Sequence, residues 1–476
     1  MYNLAVVSET NIDKEMQMIK FLFGDPDFYK KLFLIASPIV VQNLVASALN
    51  MVDTIMVGQL GETEIAAVGL ANQYFFILNL FLFGICSGSA IFTAQYWGKR
   101  DLANIKRVLG VGLLSGIIIS FLFTVLAQLF PKSILSIFSR DEAVIQLGSQ
   151  YLRIAAFSYI VTAITFTYAF VLRSTEKVKV PMFISITALS VNTLFNYLLI
   201  FGKVGFPAMG VEGAALATVI ARFVEVIFIL VIVYRKGYAP AAKLSEMLDV
   251  SFDFVKRFFK TTVPVILNES LWAIGVTLYS IVYARMGTEV IASINIFSTV
   301  ERISMVLFMG MANAAAVMLG NRIGAGDEEK AFDYAKRFAL LGPTLGMVTG
   351  LFLILTSDVI LSVYNVSYVV YEGARKVLMI YSLLMAAKIF NTINIVGILR
   401  SGGDTRYGLM LDTVGVWFIA VPLAFIGGLV LKYPVHTVYA LVSVEELFKF
   451  VLGVKRMVSK KWINNLVSHT ELESAC

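Results

Sequence analysis

In "SALNMVDTIMVGQLG", residues 47–61, the carboxylate Asp53 stands near the end of a long apolar run that begins around Leu32. An ionised acid inside a bilayer costs about 2.5–3.5 kcal/mol at a helix centre even on lenient insertion scales, so it must be paired, protonated or holding a cation. On a helix, Asn43, Ser47, Asn50 and Asp53 or Thr54 recur at spacings of three and four and form one polar stripe. A later run carries Ser185, Asn192 and Asn196 on one face. A carboxylate, two amide carbonyls and a hydroxyl are the oxygen set that a hard cation such as Na+ takes, so Asp53, Asn192 and Asn196 are candidate ligands if Na+ binds. Alternatively, Asp53 itself takes up and gives up a proton. The plainer reading is a hydrogen bond to a helix neighbour near the membrane surface; the functional one is preferred because intramembrane acids are functional by default.

A second set of polar residues lies further along the chain. Glu269 follows Pro264 by five residues, and Lys388, Asn391 and Asn394 fall within "LLMAAKIFNTINIVGILRSGGDT". They read either as a polar cavity wall that meets substrate or protons, or as a buried Glu269–Lys388 ion pair that fixes packing. Arg222 with Glu225, three residues apart, reads as a local pair, as does Glu301 with Arg302. Pro38 and Pro264 lie inside apolar runs and should bend them, as a static kink or a hinge. Two histidines (His436, His469) and two cysteines (Cys86, Cys476) give no metal cluster and no disulfide framework. No cofactor is expected beyond the coupling ion. A polytopic membrane enzyme would need paired acids or histidines in loops, and no such cluster is present in the sequence.

The elements that must position these residues follow from composition. With 58% hydrophobic and 15% charged residues and a mean hydropathy of +0.80, the chain has too little polar surface to cover a globule in water. An all-α polytopic membrane protein is expected, because only helices and closed barrels satisfy every backbone group in lipid. Twelve apolar runs of helical length are centred near 44, 81, 117, 161, 190, 223, 271, 305, 346, 388, 419 and 446. The net charge of +7 comes from basic clusters between runs, a topogenic pattern and not a nucleic-acid footprint. One alternate set of loops holds 27 Lys and Arg, the other 7, which puts both termini on the cytoplasmic side of the inner membrane. The first 30 residues lack the apolar core of a cleaved signal peptide.

The basic stretch 235–260 divides the runs into two sets of six. A 226-residue shift lays "SPIVVQN" on "VPVILNE", Gly61 on Gly287, Ala66 on Ala292 and "GKRD" on "GAGD"; one residue more pairs "VLRS" with "ILRS". An internal duplication explains this, and six spans per half give the halves the same orientation. The expected organisation is a cytoplasmic segment 1–30, a six-helix lobe 31–234, a linker 235–260, a second six-helix lobe 261–456 and a cytoplasmic tail 457–476.

From about residue 30 to 462 the chain resembles the multidrug and toxic compound extrusion (MATE) family. The resemblance is carried by "SPIVVQNLVASALNMVDTIMVGQLG", "YWGKRD" with its repeat "RIGAGD", "NTLFNYLLIFG", "GVEGAALATVI" and "GILRSGGDT", in this order on twelve spans. It implies a V-shaped pair of lobes that exports small amphipathic, often cationic compounds in exchange for Na+ or H+, as a monomer in the bilayer. It further implies that Asp53, fifteen residues after Pro38, is the coupling site of the N-terminal lobe, with Asn192, Asn196 and Thr218 as partners and Asn50 beside it. Archaeal relatives carry an acid in place of Asn196, which leaves one carboxylate here. Glu269 looks like the seventh-helix glutamate of a C-terminal site, whereas Lys388, Asn391 and Asn394 occupy the region where that branch carries a second acid. A lipid-linked precursor flippase of the same superfamily would show about fourteen spans and a strongly basic cavity.

Overall fold

A computed structural model describes residues 24–468; Lys14, Lys20, His469 and Cys476 lie outside them. Every regular element among the described residues is helical. Numbering the long helices and helix pairs in chain order, α1 is Pro26–Gly58, α2 Glu62–Lys99, α3 Leu102–Leu129, α4 the pair Glu142–Ala155 and Ser158–Ser174, α5 Lys179–Phe201 and α6 Gly210–Lys236. In the second half, α7 is Phe252–Met286, α8 Thr288–Gly324, α9 Glu328–Leu361, α10 Tyr368–Leu399, α11 Thr405–Val430 and α12 the pair Val435–Val442 and Val444–Val458. Ten of these are single helices long and apolar enough to cross a bilayer, and α4, bent by 51° at its break, makes an eleventh. In α12 the two pieces meet at Ser443, and the second carries Glu445, Glu446 and Lys449.

Sequence signals fix the helix ends. Asp101 and Asp327, the aspartates of the repeated "GKRD" and "GAGD", cap α3 and α9, each accepting a hydrogen bond from the backbone N–H three residues on (Asn104, 3.0 Å; Lys330, 3.3 Å). Pro38 and Pro264 sit inside α1 and α7, both buried, and each helix continues through its proline. The freed carbonyl turn is tolerated because neighbouring helices pack around it.

The two halves meet mainly through α2 against α7 and α8, and α8 against α1. Gly84 is pressed on Ile266 and Gly310 on Val40, so that a Cβ at either glycine would overlap its neighbour. These contacts are interchanged by the 226-residue repeat, and the duplication read in the sequence is therefore a structural one. Burial within α2 and α8 concentrates in Leu82–Tyr96 and Phe308–Gly324, the halves nearer the basic loops, while the opposite halves are much more exposed. The lobes are closed at the basic-loop face and diverge toward the other.

Candidate functional site

In the N-terminal lobe, α1, α2, α4, α5 and α6 surround a cavity of about 460 Å3 whose wall includes Asn50, Asp53, Tyr151, Asn192, Asn196 and Thr218. Asp53 is half-buried and reaches α5, where Asn196 Nδ2 donates to Asp53 Oδ1 at 2.8 Å. The Asn192 amide, oriented with its nitrogen toward the carboxylate, donates to both oxygens, at 2.8 and 3.1 Å. Asn192 and Asn196 are 6% and 2% exposed and one helical turn apart, which is why both reach the same acid. Thr218 lies 3.4 Å from the Asn192 amide. Asn50 lines the same space but is exposed, and Thr54 turns its hydroxyl back onto the Asn50 carbonyl at 2.9 Å. Among the described residues no group of three His, Cys, Asp or Glu could hold a metal ion.

The donor set fits a monovalent cation or a proton on one observation: Asn196 Oδ1 is buried and has no hydrogen-bond partner beside a carboxylate. An asparagine amide presents a nitrogen or an oxygen by turning. With both nitrogens toward it, the two amides support the ionised acid; turned, their oxygens would meet a cation held by Asp53 or the O–H of its protonated form.

Ser185, on the same helix as the two asparagines, belongs to another network. Arg173 of α4 donates to Gln42 of α1 at 2.7 Å, Gln42 to Ser185 of α5 at 2.8 Å, and Ser185 to Glu225 of α6 at 3.0 Å; Arg222 also donates to Glu225, at 2.7 Å. The Arg222–Glu225 pair expected from sequence is thus present, and Arg222 also lines the Asp53 cavity. A chain of hydrogen bonds runs from that cavity across four helices to Arg173.

The C-terminal lobe corrects two expectations. Glu269 does not meet Lys388: it pairs with Arg400 at 2.5 Å, and Arg400 also donates to Ser87 of α2 at 3.3 Å. Lys388 instead binds Glu301 at 2.5 Å, with Glu446 at 3.9 Å, so Glu301 is not the local partner of Arg302. Adjacent helix residues point about 100° apart, and Glu301 faces the bundle. Asn391 donates to the backbone and carboxylate oxygens of Glu446, both at 2.8 Å. Asn394 is 1% exposed, and neither of its amide atoms has a partner. Lys449 pairs with Asp412 and Glu445, each at 3.1 Å, and Asn268 donates to Asp412 at 3.0 Å. Asp412, Glu445 and Lys449 are not among the candidates drawn from sequence, and the four-residue spacing of Glu445 and Lys449 is the signal that marks them.

Comparison with known proteins places this geometry. The MatE family model matches residues 38–198 and again 264–426, its two matches beginning at Pro38 and Pro264, the pair superposed by the internal repeat. The uncharacterized transporter YisQ of Bacillus subtilis is 21% identical over 91% of this chain and 94% of its own, and the probable multidrug resistance protein NorM of Thermotoga maritima is 23% identical over 92% and 94%. Among solved structures, a mutant of the Vibrio cholerae MATE transporter VcmN superposes with a TM-score of 0.83 at 17% identity, covering 92% of this chain and 98% of that one. A MOP superfamily transporter from Pyrococcus furiosus gives 0.82 at 19% identity over 93% and 98%. With both halves matched in register, this chain belongs to the MatE family of multidrug and toxic compound extrusion transporters.

Proposed function

We propose that the protein is a secondary active antiporter of the inner membrane that exports small amphipathic, cationic organic compounds in exchange for Na+ or H+. It works by alternating access, with the basic loops and both termini cytoplasmic, and needs no cofactor besides the coupling ion. The observation that carries the reading is Asp53: a carboxylate on α1, in a cavity of about 460 Å3, supported by two neutral amides of α5. An acid in that setting changes its charge or its bound cation as the site opens to one side or the other. An ion that binds one lobe arrangement better than the other shifts the equilibrium between them by that difference, which is what couples its gradient to export. The neutral turnable amides support either ion. Glu269 pairs within the C-terminal lobe with Arg400, whose other donor reaches Ser87 of α2, and is assigned to holding Arg400 at that lobe contact. Lys388, Asn391 and Asn394 line the C-terminal lobe beside Glu301 and Glu446, where a substrate or proton role remains assigned to the lobe's polar interior.

The test is export of a fluorescent cationic dye from proteoliposomes with Na+ and H+ gradients imposed separately. Dye export driven by one of them and abolished in Asp53→Asn is expected. Export by Asp53→Asn at the normal rate would remove Asp53 from the mechanism.

A further inference from the structure

At the basic-loop face the lobes are shut by a reciprocal contact. A Cβ at Gly98 would overlap the Asn321 carbonyl, and one at Gly324 would overlap the Gln95 carbonyl. Gly98 and Gly324, like Gln95 and Asn321, are exchanged by the 226-residue repeat, so α2 and α8 touch backbone to backbone around the pseudo-twofold axis. The side chains of the two amides depart from this symmetry. Asn321 donates to Glu176 at 3.0 Å, and Glu176 in turn lies 3.5 Å from Lys31. Gln95, fully buried, is engaged both by the end of α10 and by the segment that follows α12: its Nε2 donates to the Ser401 carbonyl, just beyond α10, at 2.8 Å and to the Asn464 carbonyl of the segment at 3.1 Å, and its Oε1 accepts from the segment's Leu466 N–H at 2.8 Å.

That segment crosses from one lobe to the other. Trp462, fully buried, packs with Phe390, Ile398 and Met457 in the cluster that fills the C-terminal lobe and donates to the Met457 carbonyl at 3.0 Å. Asn464 donates to the Gly402 carbonyl through backbone and side chain, and Asn465 to the Ile323 carbonyl at 3.1 Å. Five residues beyond Trp462, Val467 is fully buried in a cluster built mainly from the N-terminal lobe, with Tyr96 of α2 and Val108 of α3, joined there by Phe258 of α7, and Lys99 of α2 donates to its carbonyl at 3.3 Å. A short stretch with one apolar anchor in each lobe, and a buried glutamine between them, cannot keep both anchors if α2 and α8 part at this face.

We propose that residues 462–467, keyed into Gln95, are a bolt on the gate at the basic-loop face, which holds the lobes closed there and must let go of α2 before that face can open. The inference rests on the alternating-access reading above. Burying Gln95 without its three partners would leave an unsatisfied polar group between the lobes, so the bolt and the closed gate stabilise each other.

The test uses Ser401→Cys, at a position 1% exposed where the lobes meet, in a background with Cys86→Ala and Cys476→Ala. Its alkylation by a soluble maleimide follows the population of the opened gate. Gln95→Ala and a chain ending at Ile463, which keeps Trp462, should each raise the rate by about tenfold or more, the equivalent of losing two or three ordinary hydrogen bonds. Combined they should fall short of the product of the two effects, because both remove the Asn464 and Leu466 bonds to Gln95. Unchanged alkylation in Gln95→Ala, in protein that stays monodisperse and helical, would overturn the bolt, as would full additivity of the two changes. Should the shortened chain fail to fold, the alkylation rate of Gln95→Ala decides alone. Alkylation is measured in detergent, where neither sidedness nor an ion gradient enters, so a failed bolt and a failed antiport reading give different results.

Discussion

At the scale of single residues, the N-terminal site was legible because its chemistry is concentrated on two helix faces. Asp53 interrupts an apolar run, and Asn192 and Asn196 are a helical turn apart, so both the stripe and its partner stripe stand out without tertiary information. The C-terminal lobe was harder to read, since a lone lysine and a lone glutamate in separate runs say nothing about which helices are neighbours. Lys388 has Glu301 as its partner and Glu269 has Arg400, pairings that packing alone decides. Two outcomes follow from the corrected geometry. Asp53→Asn keeps the shape and removes the charge, so gradient-driven export should fall to background while the protein stays folded; Asn192→Ala and Asn196→Ala, each removing one neutral ligand, should leave measurable export with weakened ion affinity or a displaced pH optimum. For the pair in the other lobe, Lys388→Ala, which leaves Glu301 without its partner, should cost about 3–5 kcal/mol, and Glu301→Ala less, since Glu446 stays 3.9 Å from Lys388, whereas Lys388→Met with Glu301→Leu should be much closer to neutral. Thermal unfolding of the single and double variants checks this. Simple additivity, with Glu269→Leu and Lys388→Met showing the coupling instead, would restore the pairing expected from sequence.

The helices themselves show why certain repeated letters recur. In "GKRD" and "GAGD" the aspartates cap α3 and α9, and the glycines let α2 and α8 approach until backbones touch. The repeat could be seen in the sequence, but its glycines had no stated reason until the reciprocal contact supplied one. The weak point of the helix reading was α12, whose charged second half, Val444–Val458, is polar on one side because it faces Asp412 and Lys388 rather than lipid. A glycine comparison tests the close approach. Gly324→Ala puts a methyl group into the Gln95 carbonyl and should lower stability by about 1–3 kcal/mol, the usual cost of overpacking. Gly69→Ala, on the same kind of helix but with open space around it, should be neutral or stabilising by up to about 1 kcal/mol. Equal Tm values for the two variants would show that α2 and α8 are not held at that distance.

For the molecule as a whole, the distribution of charge and the closure of the lobes point to the same face. The loops that hold most of the Lys and Arg include those at the ends of α2, α4, α8 and α10, which is where Gly98, Glu176, Gly324 and Ser401 bring the two lobes together. In the orientation proposed above that face is the cytoplasmic one, which would make the chain closed toward the cytoplasm and divergent toward the outside, with the Asp53 cavity in the outer half of α1. This orientation makes a labelling prediction that is independent of transport. Lys177 follows α4 and Lys243 lies between the lobes, both in exposed basic segments on the face assigned to the cytoplasm. A cysteine at either position, in the background lacking Cys86 and Cys476, should therefore resist a membrane-impermeant maleimide added to intact cells and react once the membrane is permeabilised or inverted. A cysteine at Lys203, in the loop after α5, should behave in the opposite way. The contrast between the three positions matters more than any one rate, because slow labelling alone can reflect a buried thiol. Reaction of Lys177→Cys and Lys243→Cys from outside, with Lys203→Cys protected, would turn the molecule over and place the closed gate and its bolt on the outer face.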